Sequence, residues 1–327
     1  MSFVPHKACA LAIGLQSALG VDDATPHLIP LPGGADAMTN RKNYSFFQYS
    51  GVQWQRALYE TEGQSVEGTI TVPLIPGFLA SDDEIFHKWI WGRNPDLAAY
   101  AQGYYATVYR QVGDLEEKYR DVKCTGGTIG LDYGQQFPSM ELNLVGIQPP
   151  AEAGIDFSLI DRTMFTVKPY SYKGAALSLL DSDEVALGDS SVTRNHSIKW
   201  DNKNVAPADM GVLNGSTFPI ALPEEALAEW GGSFDKYFLA GDTPVQAIYQ
   251  AFLAGAEAQY ALSITQFPGA SAPGAVVTFT FPRILYTEDP LKLSDSGLVK
   301  EEGIAWEALG KMDGTIPACT ISETAPA

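Results

Sequence analysis

Between Tyr104 and Val145 the chain passes through three long strand-like runs in succession, and this constrains its fold more than any other feature. Tyr104–Val112 is dense in aromatic and β-branched residues, the composition that suits a pleated, half-buried surface. Lys118–Leu131 follows, and then Gln136–Val145, whose alternation puts Met140, Leu142 and Leu144 on one face. Glu67–Leu74, upstream, alternates small or polar residues with β-branched ones and reads as a further strand. Between it and Tyr104, Ser81 and Glu84 fit a capping box, and Ile85, Phe86, Trp89 and Ile90 follow at helical spacing, so a short helix is expected there.

The second half repeats this grammar. Arg194–Trp200 and Trp230–Leu239 read as strands. Asp242-Thr-Pro244 opens a helix carrying Val245, Ile248, Tyr249 and Phe252, with proline suitably placed in its first turn. Gln259–Phe267, Ala275–Tyr286 and Leu298–Leu309 then read as strands. Laid on each other, Glu67–Leu74 matches Gly231–Phe238, and Tyr104–Val112 matches Gln259–Phe267. Lys118–Leu131 matches Ala275–Tyr286, and Gln136–Gly146 matches Glu301–Gly310. The match lies in element order; identity is very low, and two unrelated β domains sharing a common order is the alternative. Gly146-Ile-Gln-Pro-Pro150 is the best boundary. It divides the chain into a first domain (1–150), a connecting segment (151–192) that is mixed from Asp161 to Asp189, with a strand-like Thr163–Val167 and a loop-rich Leu179–Ser191, and a second domain (193–327).

At 327 residues the chain has room for two domains, and 45% hydrophobic residues suffice for their cores. Only 18% of residues are charged, which suits either a surface covered by partners or a lightly charged one. Acidic residues outnumber basic ones 39 to 21, for a net charge of −18. Tight nucleic-acid binding needs the opposite sign, because cations must displace counterions from phosphate. No apolar run approaches the ~20 residues of a membrane span. Ala8–Val21 looks superficially like a signal core but lacks a cleavage site, so a structured N-terminal segment is expected.

Recognisable chemistry is missing from the sequence. There is no GxSxG, HExxH or P-loop pattern. Gly126-Gly127 leads into strand residues and reads as a turn or bulge. Cys9, Cys124 and Cys319 are far apart, and His6, His27, His87 and His196 lack ligand spacing. Asp82, Asp83 and Glu84 suit a helix start, and Asp181, Asp183 and Glu184 a solvated loop. Catalytic residues, metals and cofactors are therefore not expected. The aromatic stretch with Tyr44, Phe46, Phe47, Tyr49 and Trp54 lies outside the regular strand grammar and either caps its own domain or packs on another subunit.

The order of short motifs resembles the tail tube proteins of flexible-tailed and related bacteriophages. The residues that carry it are Ala12–Gly20 running into Pro26–Pro30, then Lys123–Leu131 and Met140–Gly146. Ile198–Val205, Phe279–Ile284 and Gly303–Leu309 continue it through the second half. The resemblance implies a mainly β fold of two tandem sandwich or barrel domains, each with a short flanking helix. It implies a virion protein, made in the host cytoplasm, that is a structural subunit and not an enzyme. Its chief partner would be itself, in rings stacked into a tube: trimers of pseudo-sixfold symmetry if the domain is duplicated, hexamers otherwise. Tail terminator, tape-measure and baseplate or tip proteins would be further partners, with DNA passing through the lumen without tight binding. Contacts between subunits or rings are expected at Tyr44, Phe46, Phe47, Tyr49 and Trp54, at Asn202, Asn204, Met210 and Phe218, and at Ile316 and Ile321. The rival is a carbohydrate-binding or adhesin-like β-sandwich, in which Trp54, Trp89 and Trp91 would stack on sugars.

Overall fold

The computed structural model describes residues 9–17, 19–22, 26–29, 39–47, 58–76, 89–90, 105–132, 137–160, 168–187, 193–202, 229–237, 244–266, 274–289, 300–310 and 318–324. The chain is mainly β. The first half holds β1 (Cys9–Leu15), β2 (His27–Ile29), β3 (Thr39–Phe47), β4 (Leu58–Pro73), β5 (Ala106–Val112), β6 (Leu115–Leu131), β7 (Ser139–Gly146) and β8 (Ala151–Glu152). The second holds β9 (Tyr170–Asp181), β10 (Thr193–Asp201), β11 (Glu229–Tyr237), α1 (Pro244–Ala254), β12 (Ala258–Gln266), β13 (Val276–Tyr286), β14 (Lys300–Ala308) and β15 (Thr320–Thr324). All fifteen strands belong to one hydrogen-bonded sheet, and every pairing is antiparallel.

The pairing order repeats. Reading outward, the first half runs β1-β5-β6-β7-β4-β3, and the second runs β9-β12-β13-β14-β11-β10. The irregularities repeat too. Ala106 faces Val122 and Val108 faces Tyr119, with a bulge between; Ala258 faces Ile284 and Tyr260 faces Phe281, with a bulge in the same place. Beside these bulges Ile147 N–H donates to the Asp121 carbonyl, and Leu309 N–H to the Arg283 carbonyl, across equivalent strands. β8 pairs with β6 just past β7, as β15 pairs with β13 just past β14. A bulge adds an unpaired residue and bends its strand, so its recurrence in register is stronger evidence of a shared plan than strand order alone.

The halves meet where β10 lies against the C-terminal part of β6, from His196 opposite Leu131 to Asp201 opposite Gly126. Two glycines make this possible. A Cβ on Gly127 would lie 2.6 Å from the Trp200 ring, and one on Gly126 would lie 2.5 Å from the Trp200 carbonyl. Asn202 secures the exit of β10: its N–H donates to the Thr125 carbonyl, and its amide donates to the carbonyls of Ile90 and Cys124. Trp200 Nε1 donates to the same Ile90 carbonyl. One apolar core runs through both halves, from Leu11 and Val66 to Phe279 and Trp306.

Two expectations change. β3 carries Tyr44, Phe46 and Phe47 in register with Thr61, Tyr59 and Leu58, so that stretch belongs to the strand grammar. The register shift between Asn43 and Tyr44 leaves Glu62 of β4 without an opposite residue on β3. The connecting segment contains the twelve-residue β9, paired along β12; its Ser, Gly and Ala residues give little strand signal. β15 pairs with β13 within the same chain. Of the first expected helix, Trp89 and Ile90 are helical and buried, and its other residues, like Thr163–Val167, fall outside the described residues.

Candidate functional site

Strand alternation sends one set of side chains from β4, β7, β6, β10, β11 and β14 into the core and the other set to the opposite face. On β7, Met140, Leu142 and Leu144 are buried, while Glu141 and Asn143 between them are exposed. β10 does the same, with Ile198 and Trp200 buried and Lys199 and Asp201 exposed. Register aligns these outer residues in rows that cross the junction of the halves. One row is Thr71, Glu141, Thr128, Lys199, Gly231 and Glu307. The next is Thr69, Asn143, Gly126, Asp201 and Glu229. A third is Pro73, Ser139, Gly130, Ser197, Ser233 and Ala305.

This face is made of small and acidic residues. Glu67, Glu141, Asp201, Glu229 and Glu307 lie on it against Lys199. Several other cations on these strands are occupied, Lys118 and Arg120 by Asp22. Lys123 is buried, its Nζ 5.2 Å from the centre of the Tyr105 ring, and Arg194 Nε lies 3.7 Å from Asp235, which also accepts from Asn195 Nδ2 at 2.6 Å. A surface with this charge excess and few large apolar groups repels a polyanion and offers it little to stick to.

The titratable groups with strong shifts are structural. Burial pushes the Cys124 thiol up to about 12, which keeps it protonated and a poor nucleophile. Burial lowers His196 to about 4, with Asp235 opposing; its ring lies between Tyr260 Oη at 3.2 Å and Thr193 Oγ1 at 3.3 Å. The Arg120 guanidinium, with Lys118 beside it, holds the Asp22 carboxylate below its ordinary range despite some burial. Among the described residues no group of three or more His, Cys, Asp or Glu side chains could hold a metal ion, and no helix is long and apolar enough to cross a membrane. Asp181 Oδ1 accepts from Asp183 N–H and Val185 N–H, so this acidic cluster organises the turn after β9.

Five of the expected contact residues are among those described. Tyr44, Phe46 and Phe47 have defined backbone positions on β3. Asn202 is 3% exposed, and its amide is used inside the chain. Ile321, opposite Phe279, packs against the core. Tyr49, Trp54, Asn204, Met210, Phe218 and Ile316 lie outside the described residues. Trp89, one of the three aromatics on which a sugar site would rest, is 1% exposed and donates to the Val122 carbonyl. The acidic face was not picked out residue by residue from sequence, although the alternation of Met140, Leu142 and Leu144 already placed Glu141 and Asn143 opposite them. No protein-family model matches the chain, and no curated protein matches it.

Proposed function

We propose that this chain is the subunit of a phage tail tube, with two tail-tube-like β units per chain, and that it is a structural virion protein and not an enzyme. The recurrence of one pairing order with the same bulges carries this reading. A chain holding two equivalent units needs three copies to make a ring of pseudo-sixfold symmetry, and closing the sheet on itself removes its exposed edges. The units are 1–150 and 193–327, joined through 151–192, with β9 serving the second unit through its pairing with β12.

The acidic face suits the wall of a conduit, because repulsion from phosphate lets DNA move without binding. Stacked rings would form the tube in the virion tail after synthesis in the host cytoplasm, with tail terminator, tape-measure and baseplate or tip proteins as further partners. Negative-stain electron microscopy across a concentration series tests this. Hollow tubes with a regular ring repeat and three chains per ring are the expected result. A protein that remains monomeric at every concentration, and binds glycans, would replace this reading with the adhesin-like one.

A further inference from the structure

Equivalent strands of the two halves differ sharply in charge. β5 and the start of β6, Ala106–Arg120, hold six charged residues; their register counterparts in β12 and β13, Ala258–Pro282, hold none. The gap extends beyond those strands. Of the forty residues Thr243–Pro282 only Glu257 is charged, and it is bound to Arg283, in a chain of which 18% is charged. On the face turned away from the core, register with β15 and β9 sets Thr320, Thr280, Ala261 and Ser178 in one row. Ser322, Thr278, Ser263 and Ala176 form the next. Phe279, Leu262 and Leu177, which alternate with them, are buried in the core. Thr320, Ser322, Ala176 and Ser178 are exposed, and the four residues between them are half-buried.

In the first half the row corresponding to the first of these is Ala151, Lys118, Tyr109 and Ala12, and it has a cover. The segment from Ala153 to Ile160 packs on it through Phe157 and Ile160, and Ala12 and Tyr109 are 0% and 1% exposed. Ser178 and Thr320 stand in the places of Ala12 and Ala151 and are exposed. We infer that the uncharged face of β9, β12, β13 and β15 is covered by a second copy of this chain. This rests on the assembling-subunit reading above.

Charge selects this occupant. Two chains that each carry a net charge of −18 repel one another over most of their surface, and the centres of protein interfaces are depleted of charged residues. The two rows hold no charged residue, so copies meet there with the least repulsion and with no charge to desolvate. Some hydroxyls on this face are already paired within the chain. Ser263 Oγ and Thr278 Oγ1 lie 2.9 Å apart, and Thr324 Oγ1 donates to the Val276 carbonyl at 3.3 Å. That lowers the cost of excluding water from them. Four strands of five residues cover on the order of 300 Å², against about 800 Å² per partner in a standard interface. The face is therefore one contact among several in a stacked assembly and would not hold a dimer by itself.

Ser178→Cys and Ser322→Cys, each in the full chain, report whether the face is covered. Each variant is treated with a maleimide before and after tubes form, and the parent chain gives the background from its own thiols. Labelling at both positions is expected in the unassembled chain and should be lost in tubes. Charge variants provide the second measurement. Ser178→Glu and Ser178→Arg should each raise the concentration needed for assembly about tenfold, since either leaves a charge without a partner inside the contact. The urea midpoint of the unassembled chain should not move with either. If overall repulsion alone mattered, the arginine would instead favour assembly. Tubes that leave both cysteines reactive, or that form more readily with the arginine, would overturn this contact and leave the tube reading standing. A chain that never assembles would sink both.

Discussion

The two halves share a plan and differ in filling. Val66, Ile70, Val108 and Leu144 of the first half stand where the second half has Trp230, Phe234, Tyr260 and Trp306, and Tyr119 stands where it has Phe281. The second core is therefore an aromatic cluster, with Tyr260 and Phe281 each within 5 Å of Trp306 between ring centres. The first core is mainly aliphatic. Backbone pairing and bulge positions survive this exchange, while residue identity does not. A sheet fixes which positions face inward; many combinations of side chains can then fill the volume.

The largest effects should come from breaking the aromatic filling. Trp306→Ala removes a side chain that is 1% exposed and packs against two rings. It should cost about 3–5 kcal/mol, against about 2–5 for Leu144→Ala at the equivalent place. Urea denaturation of both variants checks this. Equal losses would mean that the aromatic cluster adds nothing beyond the volume it fills. Gly232 sharpens the same point. A Cβ there would lie 2.5 Å from the Trp306 ring and 2.3 Å from the Ser197 carbonyl, so Gly232→Ala should destabilise the protein although it adds one carbon.

Acid should separate the halves by pH window. His196 titrates at about 4 in the folded chain because it is buried, whereas an exposed histidine titrates near 6.5. Between these values the unfolded chain takes up a proton that the folded chain refuses. Stability therefore falls as pH drops from about 6.5 to about 4 and loses no more from this group below that. The loss is about 3 kcal/mol. His196→Gln should flatten this part of the stability profile; an unchanged slope would place the acid sensitivity elsewhere. Asp22, in the first half, acts lower. Its folded-state pKa is depressed, so the stability it supplies is present above the ordinary carboxylate range and is lost as pH falls through and below it.

The parts of this architecture that repeat a local pattern were readable before the structure. The strands at Lys118–Leu131 and Ala275–Tyr286 declared themselves through β-branched and aromatic residues. The match of Glu67 to Gly231 holds in register, since Gly68 faces Leu144 as Gly232 faces Trp306. The matches further along drifted by a few residues, because by-eye alignment cannot see which residue a bulge leaves unpaired. β9 and β15 stayed hidden for a different reason. Their strand state comes from partners distant in sequence, β12 and β13, and not from their own alternation. The acidic face was implicit in the alternation of β7, but its continuity across β6, β10 and β11 depends on pairing that sequence does not display.

The smallest effects concern what each half does with its shared bulge. At Asp121 the first half uses it to hold the N-terminal segment: Asp121 Oδ1 accepts from Gly20 N–H at 2.7 Å. Asp22 then accepts from Lys118 at 2.8 Å and from both ends of the Arg120 guanidinium at 2.8 and 2.6 Å. At Arg283 the second half instead holds the residue before β12, with Arg283 donating twice to Glu257 at 2.8 and 2.6 Å. Both are two-point contacts with good geometry, but the Asp22 carboxylate is 26% exposed and Glu257 is 40% exposed. Water competes more strongly for the more exposed pair. Asp22→Asn should therefore cost about 1 kcal/mol, with two cations left facing a neutral amide. Glu257→Gln should leave the unfolding midpoint where it is. A salt titration extends the test: 1 M NaCl should narrow the gap between the Asp22 variant and the parent chain. If Glu257→Gln proves the more damaging, the bulge of the second half is the more important anchor, and the asymmetry read from exposure is wrong.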